Sequence, residues 1–392
     1  MLFKTPDLDA DERRAVERIL ALKESLSYAV GTSPRRWQGL LRRSALARAV
    51  RGSNSIEGYT VEVDDAIAVA EGKQPLDANQ EAVLAVRGYQ TAMTYVLQLA
   101  SDPHFTYSEA LLRSLHFMMI QHDLTKHPGL WRPGPIYVRD DEKNEVVYEG
   151  PNADMLPSLV NELIATLNAA HEAAVPALVR AAMAHLNLVM IHPFSDGNGR
   201  MARCLQTLVL ARAGTLAPQF SSIEEYLGEN TRAYYDVLTL VGAGSWHPER
   251  DAKEWLRFCL TAHFRQATKL LRRAREIDKL WDMLEEEIRK YGLPERVLYA
   301  LSDAAMGWRV RNATYRPVAE ISDQLAGRDL KLAVSAGLLI PKGERRGRYY
   351  ERSDRLKQIR DQTREPRSAL DDPFGPPPPS LIQLALTGIA SA

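Results

Sequence analysis

From residue 9 to residue 290 apolar residues recur at helical spacing in segment after segment. The pattern gives way to strand-like alternation at one place, IYVRDDEKNEVVYEG over 136–150. A chain patterned this way buries its apolar faces chiefly by packing helix on helix. The periodicity predicts helices over 9–30, 36–52, 60–71, 78–101, 107–122, 155–172, 175–191, 200–213, 229–242 and 251–290. Pro133 and Pro135 break the helical run, and the alternating segment reads as two short strands about an acidic turn. The expected fold class is therefore mainly α, a helical bundle with one small β-hairpin. No internal repeat is visible.

Charge narrows the possible partners. Lys plus Arg and Asp plus Glu each total 50, so the net charge is zero and gives no overall pull towards nucleic acid or a membrane surface. The N-terminus, MLFKTPDLDADERR, carries acids where a secretion signal has its apolar stretch. No apolar run approaches the ~20 residues that cross a bilayer. The only two cysteines, Cys204 and Cys259, sit inside apolar helical patterns, which argues against a disulfide framework. A soluble, cytoplasmic protein with no membrane partner is the expectation.

The chemistry concentrates in IHPFSDGNGRMAR, residues 191–203. Pro193 disfavours helical geometry at His192, so the preceding helix should end there. Gly197 and Gly199 permit a tight loop, and a new helix from Arg200 would aim its free N–H groups outward. Arg200 and Arg203, three apart, share a face and can both reach phosphates. Asp196 offers an oxygen ligand to Mg²⁺, which binds through one or two carboxylates plus substrate phosphates. His192 is suited to take a proton from a hydroxyl. Each piece alone has an ordinary reading, as a helix end, a turn or a solvated face. Their order and spacing bring a base, a metal ligand and an anion cradle together.

HPFSDGNGR followed by Arg203 resembles the signature of the Fic (filamentation induced by cAMP) family, His-x-Phe-x-Asp/Glu-Gly-Asn-Gly-Arg-x-x-Arg, at every fixed position. The resemblance implies a protein adenylyltransferase using ATP and Mg²⁺. His192 would deprotonate a Ser, Thr or Tyr hydroxyl of a target protein, which attacks the α-phosphorus in line and releases pyrophosphate. Asp196 would hold the Mg²⁺, while Gly197, Asn198 and Gly199 form the anion cradle. Arg200 would contact the phosphates and Arg203 would grip the γ-phosphate. Positioning and charge stabilisation are then the protein's main contribution.

Three further segments resemble the same family, which covers roughly 40–265. Ser53-Asn54-Ser55-Ile56-Glu57-Gly58 fits its inhibitory pattern, Ser/Thr-x-x-x-Glu followed by Gly or Asn, with Ser53 and Glu57 as regulatory residues. The hairpin at 134–150 looks like the family's flap, implying Ile136 and Val138 beside the nucleotide and an edge that presents the target by strand addition. SIEEYLGENTRAYYDVL at 222–238 looks like the segment that closes over adenine, with Tyr235 as the contact. Some relatives place an Asn on the nucleotide a few residues later, where this chain has Gly242.

The segment 293–360 has another character. GRDLKLAVSAGLLIPKGERRGRYY resembles a winged helix with a basic wing, eight Lys or Arg standing against three Asp or Glu between Lys342 and Arg360. The expected division is an N-terminal helical region at 1–100, a Fic core at 101–265, a linking helix at 266–292, a winged-helix-like domain at 293–360 and a disordered tail at 361–392. The wing is short and the chain neutral, so dimerisation or holding of the target is expected of that domain in preference to DNA binding. Alternatives are AMP removal, in which Glu57 aligns a water, a transferase using another donor, or a DNA-binding regulator. A phosphate-transferring relative alters the glycine loop, which is intact here.

Overall fold

Described here from a computed structural model are residues 1–32, 37–70, 72–140, 144–169, 175–214, 220, 222–344, 347–366 and 372–375. Two helices form the centre. α7 (Ala177–Ile191) and α8 (Asn198–Arg212) are buried on nearly every side; α7 is mostly apolar, while α8 also buries Asn198, Arg200, Arg203, Gln206 and Thr207. Around them pack α4 (Gln80–Leu99), α5 (Glu109–Ile120) and α6 (Leu156–Asn168). Asn79 and Ser108 start α4 and α5 by accepting the N–H groups of Ala82 (2.7 Å) and Leu111 (3.1 Å). Trp255, Phe194, Phe264, Tyr89 and Tyr234 fill the core and are essentially inaccessible to solvent.

α1 (Ala10–Thr32) lies along α11 (Lys253–Tyr291), a helix of 39 residues. α2 (Trp37–Ile56) packs on α9 (Glu224–Glu229) with almost no side-chain spacing. A Cβ built on Gly52 would fall 2.3 Å from the Glu224 carbonyl oxygen, and one on Gly228 would fall 2.7 Å from the Gly52 Cα. Only glycine at both positions permits that approach. α3 (Val63–Ala70) and α10 (Thr231–Gly242) complete the body.

The β segment is larger than a hairpin. β1 (Tyr137–Asp140) and β2 (Glu145–Glu149) pair antiparallel with Val138 opposite Tyr148, and a bulge follows Val138. β3 (Gly244–Ser245), unexpected from the sequence, adds parallel to β2 with Tyr148 opposite Gly244. The expected acidic turn falls partly on 141–143, outside the described residues.

Helix α8 begins at Asn198, two residues before the expected start, because left-handed Gly197 (φ 75°) turns the chain directly into it. The linking helix is not a separate element, since α11 runs unbroken from the body into the C-terminal segment. That segment holds α12 (Val297–Ala305), α13 (Asn312–Ala319), α14 (Asp323–Ser335), β4 (Leu339–Lys342), β5 (Tyr349–Arg352) and α15 (Asp354–Thr363). α15 runs past the expected end of that domain at 360. Val310 bridges Tyr350, and β4 pairs antiparallel with β5. The expected disordered tail is folded where it is described: Glu365 pairs with Arg275 (2.7 Å), and the Phe374 ring lies 4.2 Å from the Arg257 guanidinium. Residues 376–392 lie outside the described residues.

The C-terminal segment is tied to α2 and α3 by charge. Arg43 of α2 meets Asp303 of α12 at 3.1 Å, and Arg309 reaches Asp64, Asp65 (3.1 Å) and Asp77. Both cysteines are free and buried. No helix among the described residues is long and apolar enough to cross a membrane.

Candidate active site

The loop between α7 and α8 is held shut by its own residues. The Asn198 side chain accepts the Phe194 N–H and donates to the Phe194 carbonyl, both at 2.9 Å. Its amide is thereby committed to the loop, so only its backbone N–H remains for an anion. Phe194 is buried and stacks on His116 with ring centroids 3.7 Å apart and planes 6° from parallel. A Cβ on Gly197 would meet Ile120 Cδ1 at 2.9 Å, which together with its left-handed φ makes glycine the residue that fits. The first turn of α8 then presents free N–H groups and the positive end of the helix dipole.

Arg200 and Arg203 are each only 1% exposed. Arg200 Nε and Nη1 and Arg203 Nη1 are buried with no hydrogen-bond acceptor. Buried guanidinium donors left unpaired are costly, so the pocket is chemically incomplete without an anion. Beside it, the Arg200 guanidinium lies over the Tyr59 ring at 5.4 Å.

His192 closes α7 in the left-handed region (φ 51°), and not in the extended geometry that a following proline favours. Its Nδ1 lies 3.0 Å from the Val189 carbonyl, which can only accept, so Nδ1 carries the hydrogen and Nε2 keeps its lone pair. Burial lowers its pKa to about 4, and the Arg132 charge pushes the same way. The imidazole is therefore neutral near pH 7, in the form a general base needs.

Arg132 fixes this histidine to the β segment. Its Nε donates to the His192 carbonyl (2.8 Å), and its two terminal nitrogens donate to the carbonyls of Gly134 and Pro151 at either end of the hairpin. Ile136 stands close by, since a Cβ on Gly150 would fall 2.5 Å from Ile136 Cγ2 and 3.7 Å from His192 Cβ. Val138, two residues further on in β1, is half-buried.

Asp196 divides its carboxylate. Oδ1 accepts the Gly197 N–H (2.6 Å), while Oδ2 faces Lys126 Nζ (2.7 Å) and Arg200 Nη2 (3.5 Å). Burial alone would raise its pKa, but Lys126 and Arg200 outweigh it and hold the group ionised. Among the described residues no group of three or more His, Cys, Asp or Glu could enclose a metal. A single accessible carboxylate beside unpaired arginine donors fits a Mg²⁺ ion whose remaining ligands are phosphate oxygens and water.

Ser53 and Glu57 occupy the last turn of α2 and its exit, four residues apart on one face. Arg203 donates from Nε to Ser53 Oγ (2.8 Å), and from Nη2 to the Ser53 carbonyl (3.0 Å) and Glu57 Oε1 (2.6 Å). Burial would weaken the arginine's hold on its proton, but Glu57 reverses that and raises its pKa. Glu57 enters over Gly199, where a Cβ would lie 2.6 Å from Glu57 Oε1. Tyr235 donates to the Ile56 carbonyl at 3.3 Å, so it braces the residue before Glu57. At Gly242 a Cβ would meet Tyr148 Cδ2 at 3.2 Å and Met190 at 3.3 Å, so a larger residue there requires these side chains to shift by a few tenths of an ångström.

Sequence reasoning missed Lys126, Arg132, His116 and Tyr59. The run Lys126-His127-Pro128-Gly129-Leu130-Trp131-Arg132, with a base at each end just before the hairpin, was the available signal.

Residues 106–210 match the model of the Fic/DOC family. This stretch is a Fic domain. The chain is 25% identical over 287 residues to Protein adenylyltransferase Fic of Aedes aegypti, covering 72% of this chain and 53% of that one. To the protein of the same name in Drosophila melanogaster it is 28% identical over 246 residues, 61% of this chain and 45% of the relative. The chain thus spans about half the length of the curated relatives it matches. Its fold resembles the crystal structure of a Fic family protein from Desulfovibrio desulfuricans G20 (TM-score 0.54, 20% identity, 89% of this chain and 98% of that one). Fic-1 (aa134 - 508) from C. elegans gives a TM-score of 0.51 at 20% identity, over 66% of this chain and 72% of that one. The Fic domain's match begins just before α5 and ends within α8, so it brackets the whole loop from His192 to Arg203.

Proposed function

We propose that this Fic protein transfers AMP from ATP to a hydroxyl of a target protein and is restrained by Glu57. The observation that carries this reading is the pocket at the start of α8. Two buried arginines have unpaired donors there, and the carboxylate that pairs with Arg203 comes from the inhibitory pattern.

His192 Nε2 takes the hydroxyl proton, and the oxygen forms a bond to the α-phosphorus as the bond to the pyrophosphate oxygen breaks. The α8 amides and Arg200 hold the phosphates, and Arg203 receives the γ-phosphate once Glu57 releases it. A divalent cation held by Asp196 neutralises polyphosphate charge when bound. Ile136 and Val138 flank the pocket, and the hairpin edge presents the target. AMP removal by the same site is a second reading, in which Glu57, held 2.6 Å from Arg203 at the pocket, would align a water. The winged-helix-like domain would hold the target or a second copy, and DNA is not an expected partner.

The test is incubation with ATP labelled at the α- or γ-phosphate, using wild type and Asp196→Ala. Label should follow the α-phosphate, require Mg²⁺ and fall in the variant. Label arriving from the γ-phosphate would identify phosphoryl transfer and overturn the assignment.

A further inference from the structure

Lys126, like Arg132, is a cation of this site that neither the motif nor the inhibitory pattern contains. It ends a short 3-10 turn, Leu124–Lys126, whose first N–H groups are ordered by Asp123: Oδ1 accepts from Thr125 N at 3.0 Å. Left-handed His127 (φ 52°) then turns the chain away and leaves the lysine side chain reaching across to Asp196.

The reach is fixed from behind. His116 Nδ1 accepts the Gly129 N–H at 2.8 Å, so its Nε2 carries the hydrogen and donates to the Asp196 carbonyl at 2.9 Å. One histidine therefore holds both the turn that carries Lys126 and the backbone of the residue Lys126 binds. Lys126 and Asp196 are 33% and 31% exposed, so the ammonium can move without disturbing the core. Burial alone would lower its pKa, but Asp196 and Tyr59 outweigh burial and raise it above the ordinary lysine value.

The pair occupies the carboxylate oxygen that faces away from the loop, since Oδ1 is already taken by Gly197. A divalent cation recruited to Asp196 must compete for that oxygen. The displaced ammonium, a compact charge on a flexible stem, has Asp123 Oδ2 at 4.0 Å on its own turn and, across the pocket, the phosphates the same cation brings. We propose that Lys126 is an exchangeable cation, holding Asp196 in the metal-free site and moving to the nucleotide polyphosphate when a divalent cation takes Asp196. This rests on the adenylyltransferase reading only in taking a metal-bound nucleoside triphosphate as the ligand.

The test needs no turnover. Binding of Mn²⁺ alone, followed by its electron paramagnetic resonance signal, and binding of Mn²⁺-ATP, by calorimetry, are compared in wild type, Lys126→Met and Lys126→Arg. In Lys126→Met, Mn²⁺ alone should bind about two- to fivefold tighter, the competition an exposed ion pair exerts. Mn²⁺-ATP should bind about tenfold weaker for loss of a charged phosphate contact. Lys126→Arg, which keeps the charge, should bind Mn²⁺ alone no tighter than wild type. Opposite signs for the two ligands are what exchange demands. Both weakening together, neither moving, or Mn²⁺ tightening without loss of Mn²⁺-ATP would each overturn it. Failure of wild type to bind Mn²⁺-ATP at all is a different result, and it would count against the adenylyltransferase reading.

Discussion

Arg203 Nη2 lies 2.6 Å from Glu57 Oε1, a contact joining residues 146 positions apart. The same guanidinium cannot serve this carboxylate and a γ-phosphate equally well, because both want its fork of donors. Glu57→Gly should therefore raise self-labelling and target labelling by about tenfold or more, as expected when a minor productive population becomes the major one. Nucleotide affinity should change less than turnover. Arg203→Ala should lower labelling in the Glu57→Gly background. Equal labelling by wild type and Glu57→Gly would leave the contact merely structural.

His192→Ala should cost ~10²–10⁴-fold in labelling while leaving thermal stability close to wild type, since the side chain is half-buried and holds the loop mainly through its backbone. In the Glu57→Gly enzyme, the acid limb of kcat/KM should centre at or below about pH 4, because burial lowers His192 to about 4 and the variant also lacks the Glu57 charge that raises it. A limb near the ordinary histidine value of about 6.5 would rule out a desolvated base in the free enzyme.

Acid stability follows from two other buried histidines. His116 and His185 are fully inaccessible, and burial lowers them to about 4 and about 3. The unfolded chain takes up these protons first as pH falls. Stability is therefore full above about pH 6.5 and is lost progressively down to pH 3–4, each group contributing up to about 1.4 kcal/mol per pH unit. Urea midpoints at pH 7, 5.5 and 4.5 should decline in that order, and a flat series would contradict the burial.

The motif was legible because its parts are local. His192 to Arg203 fall on one loop and one helix turn, and the Ser53–Glu57 spacing puts both residues on one helix face. The missed residues act at long range: His116 reaches a carbonyl 80 positions away, and Arg132 one 60 positions away. No periodicity encodes such contacts. β3, two residues long, is shorter than any alternation can register. The start of α8 was misplaced because a left-handed glycine caps it in place of a Ser, Thr or Asp side chain.

Arg309 holds the C-terminal segment against the three acids Asp64, Asp65 and Asp77. Arg309→Ala leaves Asp65 buried with its charge uncompensated and should destabilise the protein by about 1–3 kcal/mol, read as a lower urea midpoint. Labelling by the Glu57→Gly enzyme should also rise or fall with this change, since α3 follows the inhibitory segment directly. A variant with unchanged stability and labelling would show the charged contact to be incidental.

The meeting of Gly52 with α9, backbone against backbone, limits how Glu57 can leave. A rod seated that closely on its neighbour has no cushion of side chains to slide over, so α2 is pinned one turn before its end. Freedom begins only beyond that pin, in the residues from Ser53 to left-handed Gly58. Under the proposed restraint by Glu57, release of the arginine becomes an uncoiling of these few residues, and whatever grips them decides whether the pocket is open.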